Sequence, residues 1–480
     1  MKRDPARLGL AAVFALLALG LSACASPPDL ATPAPLRDAP SLGLSADAAA
    51  AGMPGAQWWR EFGDEQLNTL VEQALASNPS LQIAQARLAR AQAGVGLTQA
   101  ANAPQLTAGI DATRQKFTAK GMIPPPLAGS VNETGTAQLT GSWELDFFGK
   151  NRAALAAALG NERAAQADAA AARTLLASTV ARSYFQLARL HDLLAVAQAQ
   201  LAQRTQVLRL VQNRVNAGLD TRLELRQSEA TLPDARLQIE ILQEQRALLS
   251  NALAALTGEP NRPLALYPPA HSAIKNISIP ETVPVDLLGR RADIAAARWR
   301  VEAASQDTAS ARSQFYPNVN LVAFAGFSSI GLDRLLGAGS EQWGVGPALR
   351  LPLFDGGRLR ANLRAKAAEL EAAIASYNAT VIEAVREVAD QLTSIQAVTR
   401  QQAEQRAAQD SAEQAYAIAT RRYEAGLGNL LQVLAAETAV LGQRRQGVDL
   451  TARALDTQVA LMRALGGGYL GELPGATAHH

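Results

Sequence analysis

The sequence contains one cysteine among 480 residues, Cys24, and aromatic side chains make up only 5 % of the chain. A single thiol excludes disulfide bonds and cysteine-based metal sites within the chain. Histidine is also scarce, and the four histidines belong to no ligand cluster. They are His191, His271, His479 and His480. The sequence therefore predicts no metal site and no cofactor held by side chains.

Signatures of catalysis are missing as well. The chain has no nucleophile elbow, no phosphate-binding loop and no zinc signature, so we predict that it is not an enzyme. A hydrolase of the cell envelope is the alternative that this absence disfavours. Acidic and basic residues nearly cancel, with a net charge of +2. A chain with no basic excess and no basic stripe has no electrostatic basis for binding nucleic acid.

The N-terminus predicts export and lipid attachment. Three basic residues within the first seven precede the apolar run Leu8–Leu21, which is too short for a permanent membrane helix and is typical of a signal peptide. The run ends in Leu21-Ser22-Ala23-Cys24, a lipobox. We therefore predict cleavage after residue 23 and a diacylglycerol and an N-acyl (palmitoyl) chain on Cys24. The alternative is a chance thiol beside an ordinary signal peptide.

Two further features follow the lipobox. Ala25 stands where an aspartate would favour retention in the inner membrane, so we expect sorting to the outer membrane, with the chain extending into the periplasm. Residues 24–55 are rich in Pro, Ala, Ser and Asp, a composition that predicts a flexible tether.

The rest of the chain is a tandem duplication. Four pairs of segments match in the same order, with offsets between 206 and 213 residues. The paired residues are Asn78-Pro79 with Arg291-Ala292, Pro104 with Pro317, Phe148 and Arg152 with Phe354 and Arg358, and Arg214–Leu219 with Arg422–Leu427. We predict a first repeat over 56–282, a second over 283–470 and a disordered tail over 471–480.

Each repeat predicts the same series of elements. A helix (about 64–102, then 288–315) is followed by two strands within 105–146 and 318–354, whose residues alternate in polarity. Long proline-poor, Ala-rich segments then predict helical hairpins with tips at 214–220 and 422–429. Their first arms would be rods of roughly 100 Å at about 1.5 Å per residue. The rods alone would also fit a coiled-coil spacer, which makes a structural lipoprotein rod the second alternative.

The strands decide between a rod and a channel. Strands of about ten residues with alternating polarity are typical of a membrane β-barrel wall. Four strands are too few to close a barrel, for which about eight are needed, and lipid tolerates no open sheet edge. The sequence therefore predicts a mixed, mainly α protomer that trimerises into a 12-stranded outer-membrane barrel continued by a periplasmic α-helical barrel.

The assembled motifs resemble the TolC-like outer-membrane factors, in the NodT/OprM-type lipoprotein branch. The resemblance covers residues 56–470. The residues that carry it are Trp58-Trp59-Arg60-x-Phe62-x-Asp64-x-x-Leu67, Asn78-Pro79, Trp143–Gly149, Leu351–Arg358 and the Arg-x-x-Ala-Gly-Leu turns at 214–219 and 422–427. It implies an exit duct for small molecules such as drugs, served by a periplasmic adaptor and an inner-membrane pump of the RND type. The alternative is the outer-membrane channel of a type I protein secretion system.

The resemblance also implies two sites at the hairpin tips. The candidates for adaptor docking are Arg214, Gly218, Leu219, Arg422 and Gly426. The candidates for a closing aperture are Tyr423, Leu427, Leu430, Leu431 and Asp220. Related channels often carry carboxylates after the second turn glycine, where this chain has Gly428, Gln432 and Ala435. We therefore expect an aromatic and apolar closure, with Asp220 and Glu224 on the solvated surface and little effect of Asp220→Ala on conductance.

Overall fold

The computed structural model describes residues 29–38, 41, 54–260, 274 and 287–471. The main elements are Glu65–Ser77 (α1), Pro79–Asn102 (α2), Gln105–Lys116 (β1), Val131–Leu145 (β2), Lys150–Asn216 (α3), Arg222–Leu256 (α4), Ala292–Ser313 (α5), Asn318–Ile330 (β3), Glu341–Arg350 (β4), Arg358–Glu424 (α6) and Leu430–Ala464 (α7). Single helical turns cover Trp58–Phe62, Leu287–Arg290 and Leu332–Arg334. The predicted signal peptide, Cys24, residues 472–480 and three of the histidines (His271, His479 and His480) lie outside the described residues.

The long helical hairpins of the two repeats have equal arm lengths. Helices α3 and α6 each have 67 residues, and α4 and α7 each have 35. At about 1.5 Å per residue, the longer arms measure roughly 100 Å. The predicted class, mainly helical with four strands and a duplicated protomer, is confirmed. Helix α4 is continuous and includes Pro233.

The first helix of each repeat differs from its prediction. The helix expected over 64–102 is two helices, because Asn78 interrupts it. Pro79 disfavours helical geometry in the residue before it, and Asn78 has extended angles (φ −68°, ψ 126°). Its side-chain amide donates to the Leu256 carbonyl at 2.8 Å and its side-chain oxygen accepts from Ser80 N at 2.9 Å. In the second repeat, the helix expected over 288–315 is also divided, since Arg291 separates the single turn Leu287–Arg290 from α5.

The chain divides into two compact units, and the first contains the sheet. This unit comprises Met1–Pro35, Leu88–Ala164 and Ala297–Ser376. Its four strands are antiparallel in the order β1-β2-β3-β4, so β1 and β4 are the edges of the sheet. Strand β4 ends at Arg350, before the predicted end at 354. Pro352 explains the difference, because proline cannot donate to a sheet ladder.

The two faces of the sheet differ in polarity. The register places most of the large exposed apolar side chains of the strands on one face: Leu106, Ile110, Val131, Leu139, Trp143, Leu321, Trp343, Val345 and Leu349. The other face is mostly polar and carries Thr107, Asp111, Thr136, Gln138, Thr140, Gln342 and one aromatic residue, Phe324. One apolar and one polar face is the pattern of a strand between lipid and a water-filled lumen.

The second unit comprises Leu36–Arg87, Ala165–Ala296 and Tyr377–His480. The Trp-Trp-Arg-x-Phe motif lies in its core, where Trp58, Trp59 and Phe62 are at most 2 % exposed. Asp64 caps α1 by accepting from Gln66 N at 2.9 Å and Leu67 N at 3.1 Å. Its second oxygen accepts the Tyr184 hydroxyl of α3 at 2.8 Å. Asp64 therefore connects the start of the first repeat to helix α3.

Residues 29–38 correct the expectation of a tether that is free from 24 to 55. In the first unit, Leu30 packs against a cluster that includes Phe315, Leu359 and Leu363. In the second unit, Arg37 N donates to Asn378 Oδ1 at 2.8 Å, and the Tyr377 hydroxyl donates to the Arg37 carbonyl at 3.4 Å. The composition of this segment predicts flexibility, but the packing of Leu30 and two hydrogen bonds to the backbone of Arg37 hold it in place.

Across 54–260 and 287–471, every helix is either too short or too polar to cross a membrane.

Candidate functional site: the tips of the two helical hairpins

The two hairpins turn with the same backbone geometry. In the first tip, Leu219 N donates to the Arg214 carbonyl at 2.9 Å and Gly218 N donates to the Val215 carbonyl at 3.0 Å. In the second tip, the same two bonds join Leu427 to Arg422 at 2.8 Å and Gly426 to Tyr423 at 3.0 Å. This is a Schellman motif, in which a residue with left-handed angles satisfies the last carbonyls of a helix. Gly218 (φ 71°) and Gly426 (φ 75°) supply those angles.

The returning helices start with different caps. Thr221 and Glu224 form a capping box on α4, in which the Glu224 carboxylate accepts from Thr221 N at 2.9 Å. Asn429 caps α7 by accepting from Gln432 N at 3.0 Å. Hydrogen bonding to Thr221 lowers the pKa of the Glu224 carboxyl. Glu224 is half-buried and has a local structural role in starting α4.

Three polar side chains join one tip to the other. The Arg214 guanidinium donates to both oxygens of Asp220, at 2.9 Å and 3.2 Å, and to the Tyr423 carbonyl at 3.1 Å. It also lies over the Tyr423 ring, 4.7 Å from the centroid. The Tyr423 hydroxyl hydrogen-bonds to Asp220. We call these three residues the tip latch, because Arg214 and Asp220 belong to the first hairpin and Tyr423 belongs to the second.

The tip latch perturbs the acidities of its members. Hydrogen bonding from Arg214 lowers the pKa of Asp220. Burial, and then the hydrogen bond to Asp220, raises the pKa of Tyr423. Asp220 is therefore ionised and Tyr423 is neutral throughout the physiological range. A charge-assisted bidentate pair of this kind is among the stronger side-chain interactions.

Apolar side chains of the helical arms pack against Tyr423 of the tip latch. Tyr423 packs in a cluster with Val207, Val211, Leu430 and Val433, all nearly buried. Valines of α3 thus contact Tyr423 of α6 and two residues of α7. The cluster therefore joins the two hairpins to each other next to their turns.

These contacts correct four of the predicted roles. Tyr423 and Leu430 are each 1 % exposed, so their side chains face the protomer interior and do not themselves line an aperture. Asp220 is not solvated surface, since only 9 % of its side chain is exposed. The Arg214 side chain is committed to Asp220 and is not a free docking group. The sequence could not show this, because partners more than 200 residues apart meet only in the folded tip.

The large apolar side chains that are exposed at the tips are leucines at matched positions. Leu219 and Leu223 of the first tip are 65 % and 63 % exposed, and Leu427 and Leu431 of the second are 70 % and 67 % exposed. We call these four residues the tip leucines. Leu223 is absent from the predicted site, although the repeat offset pairs it with Leu431. Arg422 is also exposed and closes its own turn on the Leu427 carbonyl.

The described part of the chain holds no group of three or more histidine, cysteine or acidic side chains arranged to bind a metal. His191 lies at the surface of α3 with Nδ1 3.9 Å from Asp192 Oδ1.

Comparison with known proteins decides the family. The model of the outer membrane efflux protein family matches residues 70–259 and again residues 283–467. The chain belongs to the outer membrane efflux protein family. The double match coincides with the two repeats, each of which supplies one hairpin tip.

Relatives of this efflux protein span nearly its whole length. It is 33 % identical over 426 residues to the multidrug resistance outer membrane protein MdtQ of Escherichia coli O157:H7, covering 87 % of this chain and 89 % of the relative. The crystal structure of VceC from Vibrio cholerae is 39 % identical with a TM-score of 0.82, over 86 % of this chain and 99 % of VceC. The outer-membrane channel OprN has a TM-score of 0.81 at 27 % identity, over 93 % of this chain and 100 % of OprN.

The family and the fold confirm the TolC-like resemblance. The protein is an outer-membrane efflux channel rather than an enzyme, and its location is the outer membrane.

Proposed function

We propose that this channel is the exit duct of a tripartite efflux system. It passively conducts small molecules such as drugs from an inner-membrane pump, through a periplasmic adaptor, to the exterior. The observation that carries the proposal is the pair of equal-length hairpins whose matched tips expose the four tip leucines. Exposed apolar side chains at the ends of polar rods are typical of a surface that docks another protein.

The working unit in this proposal is a homotrimer. The apolar face of the sheet suits outer-membrane lipid, but β1 and β4 leave backbone groups unpaired along both edges of the four-stranded sheet. Unpaired backbone groups in lipid cost several kcal/mol each. Three protomers would pair every edge and close a barrel of twelve strands, wide enough for a water-filled lumen.

The tips would also close the resting duct. In this proposal the tip latch holds the two hairpins of each protomer together, and release of the tip latch lets the tips separate. Closure therefore depends on a carboxylate that bridges hairpins, not on a ring of carboxylates around the lumen. Leu427 and Leu431 remain our candidates for the apolar constriction itself, because their side chains are exposed.

Drug efflux is favoured over type I protein secretion as the proposed role. MdtQ and MdtP, to which the chain is 33 % and 32 % identical, are both described as multidrug resistance outer membrane proteins. Within this role we propose a pump of the RND type as the inner-membrane partner, as the TolC-like resemblance implies.

A reconstitution experiment tests the proposed function. The channel, an adaptor and an RND pump would be placed in paired liposomes, and dye transfer would be measured after a proton gradient is applied. We expect transfer only when all three proteins are present. Equal transfer without the adaptor, or transfer supported only by an ATP-driven secretion pump and its adaptor, would contradict the proposal.

Lipid attachment at Cys24 gives a separate prediction. Cys24→Ser should abolish incorporation of radiolabelled palmitate, while a fraction of the channel still assembles in the membrane because the barrel is itself an anchor. The matched control is Ser22→Ala, which alters the lipobox but keeps the thiol. Persistent labelling of the Cys24→Ser protein would show that the lipid is attached elsewhere.

The turn glycines give another prediction. Gly218→Val or Gly426→Val forces a side chain into left-handed angles at a cost of about 1–2 kcal/mol, although a Cβ would meet open space at both positions. We expect weaker chemical cross-linking to the adaptor and reduced dye efflux, with trimer yield on native gels nearly unchanged. Ala217→Val, in the same exposed turn, should have little effect. Equal cross-linking by all three variants would refute the role of the turns in docking.

A further inference from the structure

The two edge strands carry opposite charges at the same end and on the same face of the sheet. Strand β1 ends with Arg114 and Lys116, next to the loop that leads into β2, and β4 begins with Glu341, next to the loop that follows β3. All three side chains are exposed. The ladder register places them on the apolar face of the sheet.

The existing partners of these residues leave Lys116 and Glu341 available. Across the ladder, Lys116 lies opposite Val131, whereas Arg114 lies opposite Glu133. Glu341 accepts one hydrogen bond, from Gly339 N at 2.8 Å, and its strand has a neighbour on one side only. Thus Lys116 faces an apolar residue inside its own protomer.

The internal repeat predicts how these edges would meet in a trimer. Pro317 follows Pro104 by 213 residues and Phe354 follows Phe148 by 206, so β3 is the counterpart of β1 and β4 is the counterpart of β2. Within the protomer, β2 pairs with β3 so that Gly135 lies opposite Ser329. The counterparts of these two residues are Glu341 and Lys116. By the same offsets, the counterparts of the paired residues Ala137 and Phe327 are Trp343 and Arg114.

We propose that β4 of one protomer pairs with β1 of the next at the subunit interface of the barrel, which we call the seam. In this pairing Glu341 forms an ion pair with Lys116 of the partner subunit, and Trp343 lies opposite Arg114 of the partner subunit. This inference rests on the proposed trimer. Directly opposed residues on one face of an antiparallel pair have Cβ atoms about 4.5–5.5 Å apart, within reach of a carboxylate and an ammonium group. Arginine over an indole ring adds a cation–π contact.

The ion pair gives the seam a preferred register. At this end of the sheet, the acidic residue of β4 and the basic residues of β1 complement each other only when β4 of one protomer meets β1 of the next. Such a head-to-tail contact can close into a ring. Charges on an edge strand also disfavour pairing with unrelated strands. The register of the β3–β4 hairpin differs by two residues from that of the β1–β2 hairpin. Gln105 pairs with Ser142, whose counterparts in the second repeat are Asn318 and Ala348, but Asn318 pairs with Arg350. The experiment must therefore separate position 116 from position 114.

Disulfide cross-linking in outer-membrane preparations of the full-length channel measures this register. Glu341→Cys combined with Lys116→Cys should give dimers and trimers on a non-reducing denaturing gel after oxidation with copper phenanthroline. A disulfide within one protomer is excluded, because β1 and β4 are three strand spacings apart, about 14 Å. The matched controls combine Glu341→Cys with Arg114→Cys or with Ala112→Cys. We expect at least about fivefold less product from each control, because diagonal neighbours lie about 7–8 Å apart and disulfides rarely span more than about 7 Å.

Charge reversal tests the ion pair independently of the cysteines. Glu341→Lys and Lys116→Glu should each lower the temperature at which the trimer dissociates in dodecyl sulfate, and the double reversal should dissociate at a higher temperature than either single variant. Glu133→Lys combined with Lys116→Glu, which supplies the opposite charge within the protomer, should give no such recovery. A double reversal no more stable than the worse single variant would refute the ion pair.

The outcomes separate this inference from the proposed function. Trimers that cross-link most strongly through position 114 or 112 would overturn the seam and leave the trimer intact. Wild-type channel that runs as a monomer on native gels, while still inserted in the membrane, would overturn the trimer itself and the seam with it.

Discussion

Asp220→Ala should raise the resting conductance of the channel in planar bilayers. The substitution leaves the Arg214 guanidinium and the Tyr423 hydroxyl without their shared acceptor. Leaving a buried polar group unpaired costs about 1–3 kcal/mol, so the population of separated tips should increase roughly five- to a hundredfold, taking 1.4 kcal/mol as tenfold. This reverses the expectation from the sequence alone, in which Asp220 is solvated and its removal has little effect.

Further variants separate the latch from the general charge of the tip. Glu424 is an exposed carboxylate next to Tyr423 in the sequence, so Glu424→Ala removes the same charge without touching the latch and should leave the conductance unchanged. Tyr423→Phe should open the tip less than Tyr423→Ala, because the phenyl ring still fills the cluster with Val211 and Val433. Equal conductance for Asp220→Ala and Glu424→Ala would show that the latch does not close the channel.

The pH dependence follows from the same contacts. The lowered pKa of Asp220 means that its ion pair contributes fully above the usual aspartate value near 3.8 and is lost as the pH falls below it. The raised pKa of Tyr423 means that its hydroxyl remains a donor at least up to the usual value of 10. We therefore expect the resting conductance to be constant from about pH 5 to pH 9. A carboxylate ring with mutually raised pKa values would instead titrate within this range.

Leu219→Asp combined with Leu427→Asp should abolish export while leaving the trimer assembled. Each substitution places a carboxylate at the centre of the exposed apolar surface of one tip, and burying an unpaired charge against a partner costs several kcal/mol. At 1.4 kcal/mol per tenfold, adaptor affinity would fall by at least about a hundredfold. The measurements are dye accumulation in cells and binding of purified adaptor to the immobilised channel.

The conservative variant provides the control. Leu219→Met with Leu427→Met keeps the apolar surface and similar volume, and we expect near-normal export and adaptor binding. Because both leucines are already exposed in the protomer, the aspartate variants should fold and trimerise. Full adaptor binding by the aspartate pair would place the docking surface elsewhere on the channel.

The sequence predicts the repeat, the four strands and the long hairpins because each depends on local patterns: alternation, proline at helix ends and Ala-rich runs. It predicts the turns at Gly218 and Gly426 for the same reason. It misses the latch, since nothing local in the segment around Asp220 indicates that Tyr423 will supply a hydroxyl from 203 residues away. It also misses the ordered course of residues 29–38, where three contacts outweigh a flexible composition.

The equal arms of the two hairpins constrain how this sequence can evolve. Deleting seven residues from each of the two helices of one hairpin would move its tip back by about 10 Å. This distance is farther than the Arg214 side chain can reach toward Tyr423. Insertions and deletions along the arms are therefore tolerated only when the other repeat changes by the same length. After duplication, the loops and strands of the two halves could change in length, whereas the helical arms had to stay equal.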